Sequence, residues 1–339
     1  VNKNITIEDI ARLAGVSVGT VSRAINNSGP VSKKTKSKID KIIKDTNYTP
    51  NGLARGLKTR SRTVGLLVPD IRNLYFIDVV LGIEYVLKEN GYSSFLCHTD
   101  WDSEKEQEYI DLMVGRRVEG LVIMSTFVNE SVFDKLSGRD IKIVSIQNGI
   151  KGIDSVSSRD EEGAFEATEH LIGLGHRRIA FLGFRNILNS LNRRMRGYCS
   201  ALDKHGIPRD ESLFVYCEPF GDYGYAAATQ LFKLDEMPTA ILAINDHMIP
   251  GIYRALQERG LSVPRDVSVI GFDNTALSEW VSPNLTTVAE PIFEMGKNAA
   301  YLLLERIKNG DDSSNREIVL PSRLIVRDST GRPRTIVDS

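Results

Sequence analysis

Residues Thr6–Asn26 read TIEDIARLAGVSVGTVSRAIN, and this stretch frames everything downstream of it. Thr6, with Asp9 three residues on, is the start signal of a capping box, and Ser17 is placed to cap a second helix. Between them Ala14-Gly15-Val16 allows the tight turn that two short helices need. Ile7, Ile10, Ala11, Val16, Val21 and Ile25 recur at spacings that let crossed helices share a small core. Val18, Gly19, Ser22 and Arg23 are left on the outer face of the second helix, which in a helix-turn-helix enters the major groove.

The charge distribution agrees with a DNA reader at this end. The whole chain carries 43 Lys and Arg against 44 Asp and Glu, a balance that by itself argues against a nucleic-acid partner. Its first 62 residues hold 13 against 4, net +9; the remainder holds 30 against 40, net −10. A basic head on an acidic body suits phosphate contact, because each neutralised phosphate releases counterions. Lys33, Lys34, Lys36, Lys38, Lys41 and Lys44 fall on a third helix started by Ser32 and held by Ile39, Ile42 and Ile43. They face outward, either as a solvated surface or grazing the backbone.

At 339 residues two or three domains are expected. Cys97, Cys199 and Cys217 are far apart and odd in number, with neither a disulfide framework nor zinc spacing. There is no signal peptide and no apolar run long enough to cross a bilayer, so a cytoplasmic protein with no membrane partner is expected. A chain opening on Val1 rather than Met is expected to be processed or trimmed at its start.

From Thr63 onward short apolar runs alternate with amphipathic segments. TVGLLVPD, YSSFLCHTD, VEGLVIMS and IKIVSIQ form one series, and a second opens near Asp160 with RRIAFLGF, SLFVYCE, TAILAIND and VSVIGFDN. Continuous Val/Ile/Leu runs between helices indicate parallel sheets covered on both faces, here two doubly wound lobes. LTTVAEP, a helix over Ile292–Asn309 and REIVLPSRLIVRDS let the chain cross back between them. Ligands in this architecture bind beyond the carboxyl ends of the strands. Asp70, Ser125, Asn245, Asp246 and Asp273 follow strands directly; each alone is as well explained by a turn or cap, but together they point to a binding cleft.

The chain strongly resembles the LacI/GalR family of bacterial transcription regulators. Six motifs carry the resemblance in order: VSVGTVSRAIN at Val16–Asn26, PNGLARGL at Pro50–Leu57, GHRRIAFLG at Gly175–Gly183, PTAILAIND at Pro238–Asp246, VPRDVSVIGFDN at Val263–Asn274 and PNLTTV at Pro283–Val288. The implied fold is α/β. A helix-turn-helix domain (1–50) and a hinge (51–62) precede a periplasmic-binding-protein-like core. Its doubly wound parallel-sheet lobes comprise 63–160 with 291–322, and 161–290 with 323–339.

By position, the resemblance implies base reading by Val18, Gly19 and Arg23. Arg23 suits a bidentate contact to guanine, Val18 offers apolar contact only, and Gly19 offers no side chain. Thr6, Ser17, Thr20, Ser22, Asn26, Tyr48 and Asn51 match positions that hold phosphates or buttress the motif. Pro50–Thr59 matches a hinge helix that orders when two copies pair in the minor groove, where Leu57 would wedge between base pairs with Lys58 beside it. Gly52 and Gly56 make that segment a poor helix alone. For the body the resemblance implies a small-molecule effector between the lobes, a sugar or sugar phosphate, touched by Tyr75, Phe76, Ser125, Arg194, Phe220, Asn245 and Asp273. Tyr75 and Phe76 serve equally well as the packed start of a helix. Arg159-Asp160 stands where many members have Asp-Asn, and Leu188 and Ser190 depart from the purine-sensing branch.

The implied partners are a pseudo-palindromic operator duplex, the effector and a second copy of the chain. A phosphorylated carrier protein, the controller in the catabolite-regulating branch, is disfavoured by Tyr301 and Glu305 where basic residues are needed. No enzyme is expected: GVSVG at Gly15–Gly19 mimics a hydrolase elbow but follows no strand, and no phosphate-cradling glycine loop exists. No cofactor or metal is implied, and His176 reads as a turn residue rather than a ligand.

Overall fold

The computed structural model describes residues 5–26, 28–46, 48, 61–124, 136, 139–147, 149, 152–184, 189–310 and 314–334. Asn51, Leu57, Lys58 and the expected hinge as far as residue 60, Ser125, Leu188 and the side chain of Asn26 lie outside the described residues. The chain divides into two compact units, Val1–Arg60 and Ser61–Ser339.

The first unit contains helices α1 (Ile7–Ala14), α2 (Val18–Asn26) and α3 (Lys33–Thr46). The Thr6 hydroxyl accepts from Asp9 N at 3.3 Å while Asp9 Oδ2 accepts from Thr6 N at 3.1 Å, so two N-terminal donors are satisfied reciprocally. Gly15 ends α1 in the left-handed region, φ 69°, where a side chain would be strained. Ser17 Oγ accepts from Thr20 N at 3.2 Å and Ser32 Oγ from Thr35 N at 3.1 Å, starting α2 and α3. Ile10, Val21 and Ile39, one from each helix, are fully buried at the centre.

The second unit holds two six-stranded sheets. The first contains β1 (Thr63–Val68), β2 (Ser93–His98), β3 (Gly120–Ile123), β4 (Lys142–Ile146), β5 (Asp154–Ser158) and β11 (Glu317–Leu320), in the order β11-β5-β4-β3-β1-β2. Every pairing in it is parallel. The second contains β6 (Ile179–Gly183), β7 (Phe214–Tyr216), β8 (Ala240–Ala243), β9 (Ser268–Asp273), β10 (Thr286–Ala289) and β12 (Arg323–Ile325), ordered β12-β10-β9-β8-β6-β7. Most central strands are buried throughout, as expected of sheets covered by helices on both faces.

Both lobes are the parallel sheets expected, with one antiparallel edge strand: β12 runs antiparallel to β10. Only Pro321 and Ser322 separate it from β11, whereas a parallel connection needs a dozen residues or more. Leaving the first sheet at its carboxyl edge, the chain enters the second from the same side and must run against its strands.

Helices α4 (Leu74–Glu89), α5 (Ser103–Gly115) and α11 (Ile292–Asn309) accompany the first sheet. Helices α6 (Asp160–Leu174), α7 (Asn189–Lys204), α8 (Tyr223–Leu231) and α9 (Ile249–Glu258) accompany the second. The chain passes between lobes after β5, after β10 and after β11. The first two passages carry buried acids, Asp160 and Glu290. One glycine brings them a partner: a Cβ on Gly197 of α7 would lie 2.1 Å from Glu161 O of α6, so the two backbones touch there. That close approach sets the side chains of Arg193 and Arg194 beside Asp160.

Candidate functional site

On α2, Val18 is 40% exposed, Gly19 and Arg23 are exposed, and Ser22 is half-buried. Arg23 Nη2 donates to Thr20 Oγ1 at 3.4 Å, and Thr20 in turn is bonded to Ser17 at 2.9 Å. Thr6, Ser17 and Thr20 therefore hold the motif's own backbone, and Val18, Gly19 and Arg23 form the open face. Tyr48 packs half-buried against the small core, with its phenol pKa raised by burial and by Glu8. Ser17, the apparent hydrolase nucleophile, is a helix cap.

In the second unit a cavity lies where the carboxyl ends of the two sheets face each other. Tyr75, Phe76, Arg194, Asn245 and Asp273 line it, as do Trp101, Gln147 and Phe184, which no motif singled out. Arg194, only 4% exposed, is the hub of the inner wall. Its Nε donates to Asp160 Oδ1 at 2.9 Å, Nη1 to Asp273 Oδ1 at 3.2 Å and to Ile244 O, and Nη2 to Glu290 Oε2 at 3.0 Å. The guanidinium sits 3.7 Å over the Phe272 ring. Arg193 Nη2 reaches Asp160 Oδ2 at 2.8 Å and Gln147 Oε1 at 3.0 Å, and Gln147 Nε2 donates to Glu290 Oε1 at 2.8 Å. Residues from both lobes and two interlobe passages are thus joined in one network.

Burial dominates the electrostatics. It raises the carboxyl pKa of Asp273 well above the ordinary value and that of Glu290 in the same direction, with Arg194 working against both shifts. For Arg194 burial alone would lower the pKa, but Glu290, Asp160 and Asp273 outweigh it and keep the guanidinium charged. Asp273 also adopts φ 107°, a conformation an L-residue rarely takes, which marks a backbone held for a purpose. Asp273 Oδ1 meets Arg194, and no hydrogen bond reaches Oδ2 from the described residues.

Aromatic rings cross the cleft in series. Tyr75 meets Phe76 at 5.2 Å, Phe76 meets Trp101 at 6.2 Å, Trp101 meets Phe184 at 6.3 Å and Phe184 meets Tyr223 at 5.0 Å. Tyr75 and Phe76 are both packed at the start of α4 and on the cavity wall. The Tyr75 hydroxyl is buried with no hydrogen-bond partner among the described residues, and burial and Glu290 raise its pKa well above the usual phenol value.

Phe220 does not join this wall. It lies beyond β7, 52% exposed, because Asp222 caps α8 and turns Tyr223 inward against Phe184 instead. Among the other strand-exit residues, Asn245 Oδ1 accepts from Met248 N at 3.1 Å, and its side chain also hydrogen-bonds the Tyr223 phenol. Asp70 is held by Arg72. Asp246 is fully buried behind the wall, bonded to Thr287 Oγ1 at 2.7 Å and Thr275 N at 2.8 Å. His176 is buried between Thr239 and Gly331 O, both at 2.9 Å, and anchors the chain's last segment. Among the described residues no cluster offers a metal three His, Cys, Asp or Glu ligands, and no helix is long and apolar enough to cross a membrane.

Comparison with known proteins places both units. Residues 6–51 match the family of bacterial regulatory proteins, lacI family, and residues 168–330 match a periplasmic binding protein-like domain. The HTH-type transcriptional repressor PurR of Vibrio atlanticus is 39% identical over 310 residues, covering 90% of this chain and 93% of the relative. Catabolite control protein A of Priestia megaterium is 36% identical over 333 residues, covering 96% and 99%. A LacI family transcriptional regulator from Enterococcus faecium, solved with bound ribose, has a TM-score of 0.74 at 34% identity, covering 80% of this chain and 100% of that one. The lac repressor dimer bound to operator and the anti-inducer ONPF has a TM-score of 0.83 at 27% identity, covering 97% and 100%. With relatives that are regulators of transcription rather than enzymes, and with a helix-turn-helix ahead of a two-lobed effector-binding core, the chain belongs to the LacI family of bacterial transcriptional repressors.

Proposed function

We propose that this repressor binds a pseudo-palindromic operator as a dimer, with its operator affinity set by a sugar held in the cleft between the lobes. The observation that carries the ligand reading is the cavity's pairing of aromatic rings with unspent polar groups. Among the described residues the buried Tyr75 hydroxyl has no partner and Asp273 Oδ2 accepts nothing, and both side chains line the cavity. A sugar answers both needs, with an apolar ring face for the aromatics and hydroxyls that donate and accept. Ribose in the Enterococcus faecium regulator supports the class. Closing the lobes on the ligand would act through the passages at Asp160 and Glu290 to the hinge over residues 51–62, joining or separating two DNA-reading heads.

A phosphorylated carrier protein fits less well. On α11 Tyr301 is 49% exposed and Glu305 pairs with Arg316 at 2.9 Å, where a phosphoprotein would need basic groups. The test is operator binding by the full chain, followed by fluorescence anisotropy with D-ribose, D-glucose, D-galactose or cellobiose added. At least one should change operator affinity. If none does and the phosphorylated carrier does, the cleft reading fails.

A further inference from the structure

A sugar could reach this cleft free or as its phosphate ester, and the charges of the inner wall discriminate between the two. Asp160, Asp273 and Glu290, none more than 7% exposed, converge on Arg194. Arg193 supplies the only other guanidinium in the network and is itself spent on Asp160 and Gln147. Three buried carboxyl groups thus face two guanidiniums, and a fourth, Asp246, lies behind them. All three nitrogens of Arg194 already donate, and it is the one cationic side chain among the described residues lining the cavity.

At two helix starts beside the cavity, backbone amides offer an anion no better welcome. Where α4 begins at the cavity, the Asn73 side chain takes Tyr75 N at 3.0 Å. Where the chain leaves β8, Asn245 takes Met248 N. These helix starts, the usual seats for phosphate, are filled by the protein's own oxygens. A phosphate dianion would lose its water, find the counter-charges of the described wall committed, and stand beside buried carboxyl groups. A free sugar meets the opposite situation, because its hydroxyls donate to the open carboxylate oxygen and pair with Tyr75.

We infer that the cleft takes uncharged sugars and excludes their phosphate esters. This rests on the reading of the cleft as a sugar site. The test is isothermal titration of the full chain, at fixed ionic strength, with D-ribose, D-glucose and D-fructose and with ribose 5-phosphate, glucose 6-phosphate and fructose 6-phosphate. For whichever sugar binds, its ester should bind about a hundredfold more weakly or not at all. An ester that binds as tightly as its sugar, or alone, overturns the inference and leaves the sugar site standing. Binding by none of the six overturns both. Glu290→Gln and Asp273→Asn each replace a buried carboxyl group with an amide that cannot ionise, so either should narrow the gap between sugar and ester about tenfold. A gap unchanged in both folded variants overturns the electrostatic cause.

Discussion

Arg194 Nη2 donates to Glu290 Oε2 at 3.0 Å, tying a helix of the second lobe to the passage that returns the chain to the first. Removing the guanidinium would leave Asp160, Asp273 and Glu290 buried without their shared counter-charge. Arg194→Met should therefore destabilise the core by about 3–5 kcal/mol in urea unfolding. Adding Glu290→Gln to it should recover part of that loss. A single variant as stable as the wild type would show that the network carries no such weight.

Asp246 gives a dependence on pH with a definite sign. Burial pushes its carboxyl pKa up to about 7, against hydrogen bonds from Thr287 and Thr275. A carboxyl raised in the folded state contributes most to stability at low pH, and that contribution is lost as pH rises from the unfolded value through about 7. Lowering the pH from about 8 to about 6 should thus raise the melting temperature of the wild type relative to Asp246→Asn. His170, His176 and His247, whose pKa values burial lowers, act in the opposite sense in both proteins and cancel in the difference. Parallel melting curves across that range would refute the assignment.

On the open face of α2 we propose Arg23 as the base reader, since Gly19 has no side chain and Val18 no polar atom. Arg23→Ala should relax operator choice at one base pair per half-site, with a loss of about 1–3 kcal/mol of discrimination in binding selections. Leu57→Ala should reduce operator bending, read by gel mobility, without unfolding the core. Unaltered selectivity and bending would sink the placement.

The chain has two tryptophans, and only Trp101 lines the cleft; Trp280 is 72% exposed. In a Trp280→Phe background, an effector should change the emission of Trp101, which sits between Phe76 and Phe184. Asp273→Ala should abolish that change and the operator response while operator binding persists. A full response in Asp273→Ala would remove Asp273 from the ligand site.

Much of this was legible in the sequence because it is local. Caps, the Gly15 turn and helix periodicity involve residues a few positions apart, and the apolar runs announce most strands. β5 is different. Its sequence DSVSS has no apolar run, yet every residue is buried, with Asp154 accepting from Arg306 Nη2 at 2.7 Å across 152 positions. Burial there is satisfied by hydrogen bonds rather than by hydrophobicity, so no pattern marks it. The cleft shows the same division. Arg194 and Asp273 stand in motifs, whereas Glu290, Gln147 and Trp101 acquire their places only when three passages between lobes bring distant segments together. Phe220 looked aromatic in the right neighbourhood, but the cap at Asp222 hands that position to Tyr223.

β11 and β12, separated by Pro321 and Ser322, complete one edge of each sheet. During synthesis both lobes therefore stay one strand short until residues 317–325 have left the ribosome. A stop codon just before Glu317 would cost the two halves an edge together, and neither half can be cut out as a continuous gene fragment. Loss of the segment from Glu317 onward should be as damaging as loss of a core helix.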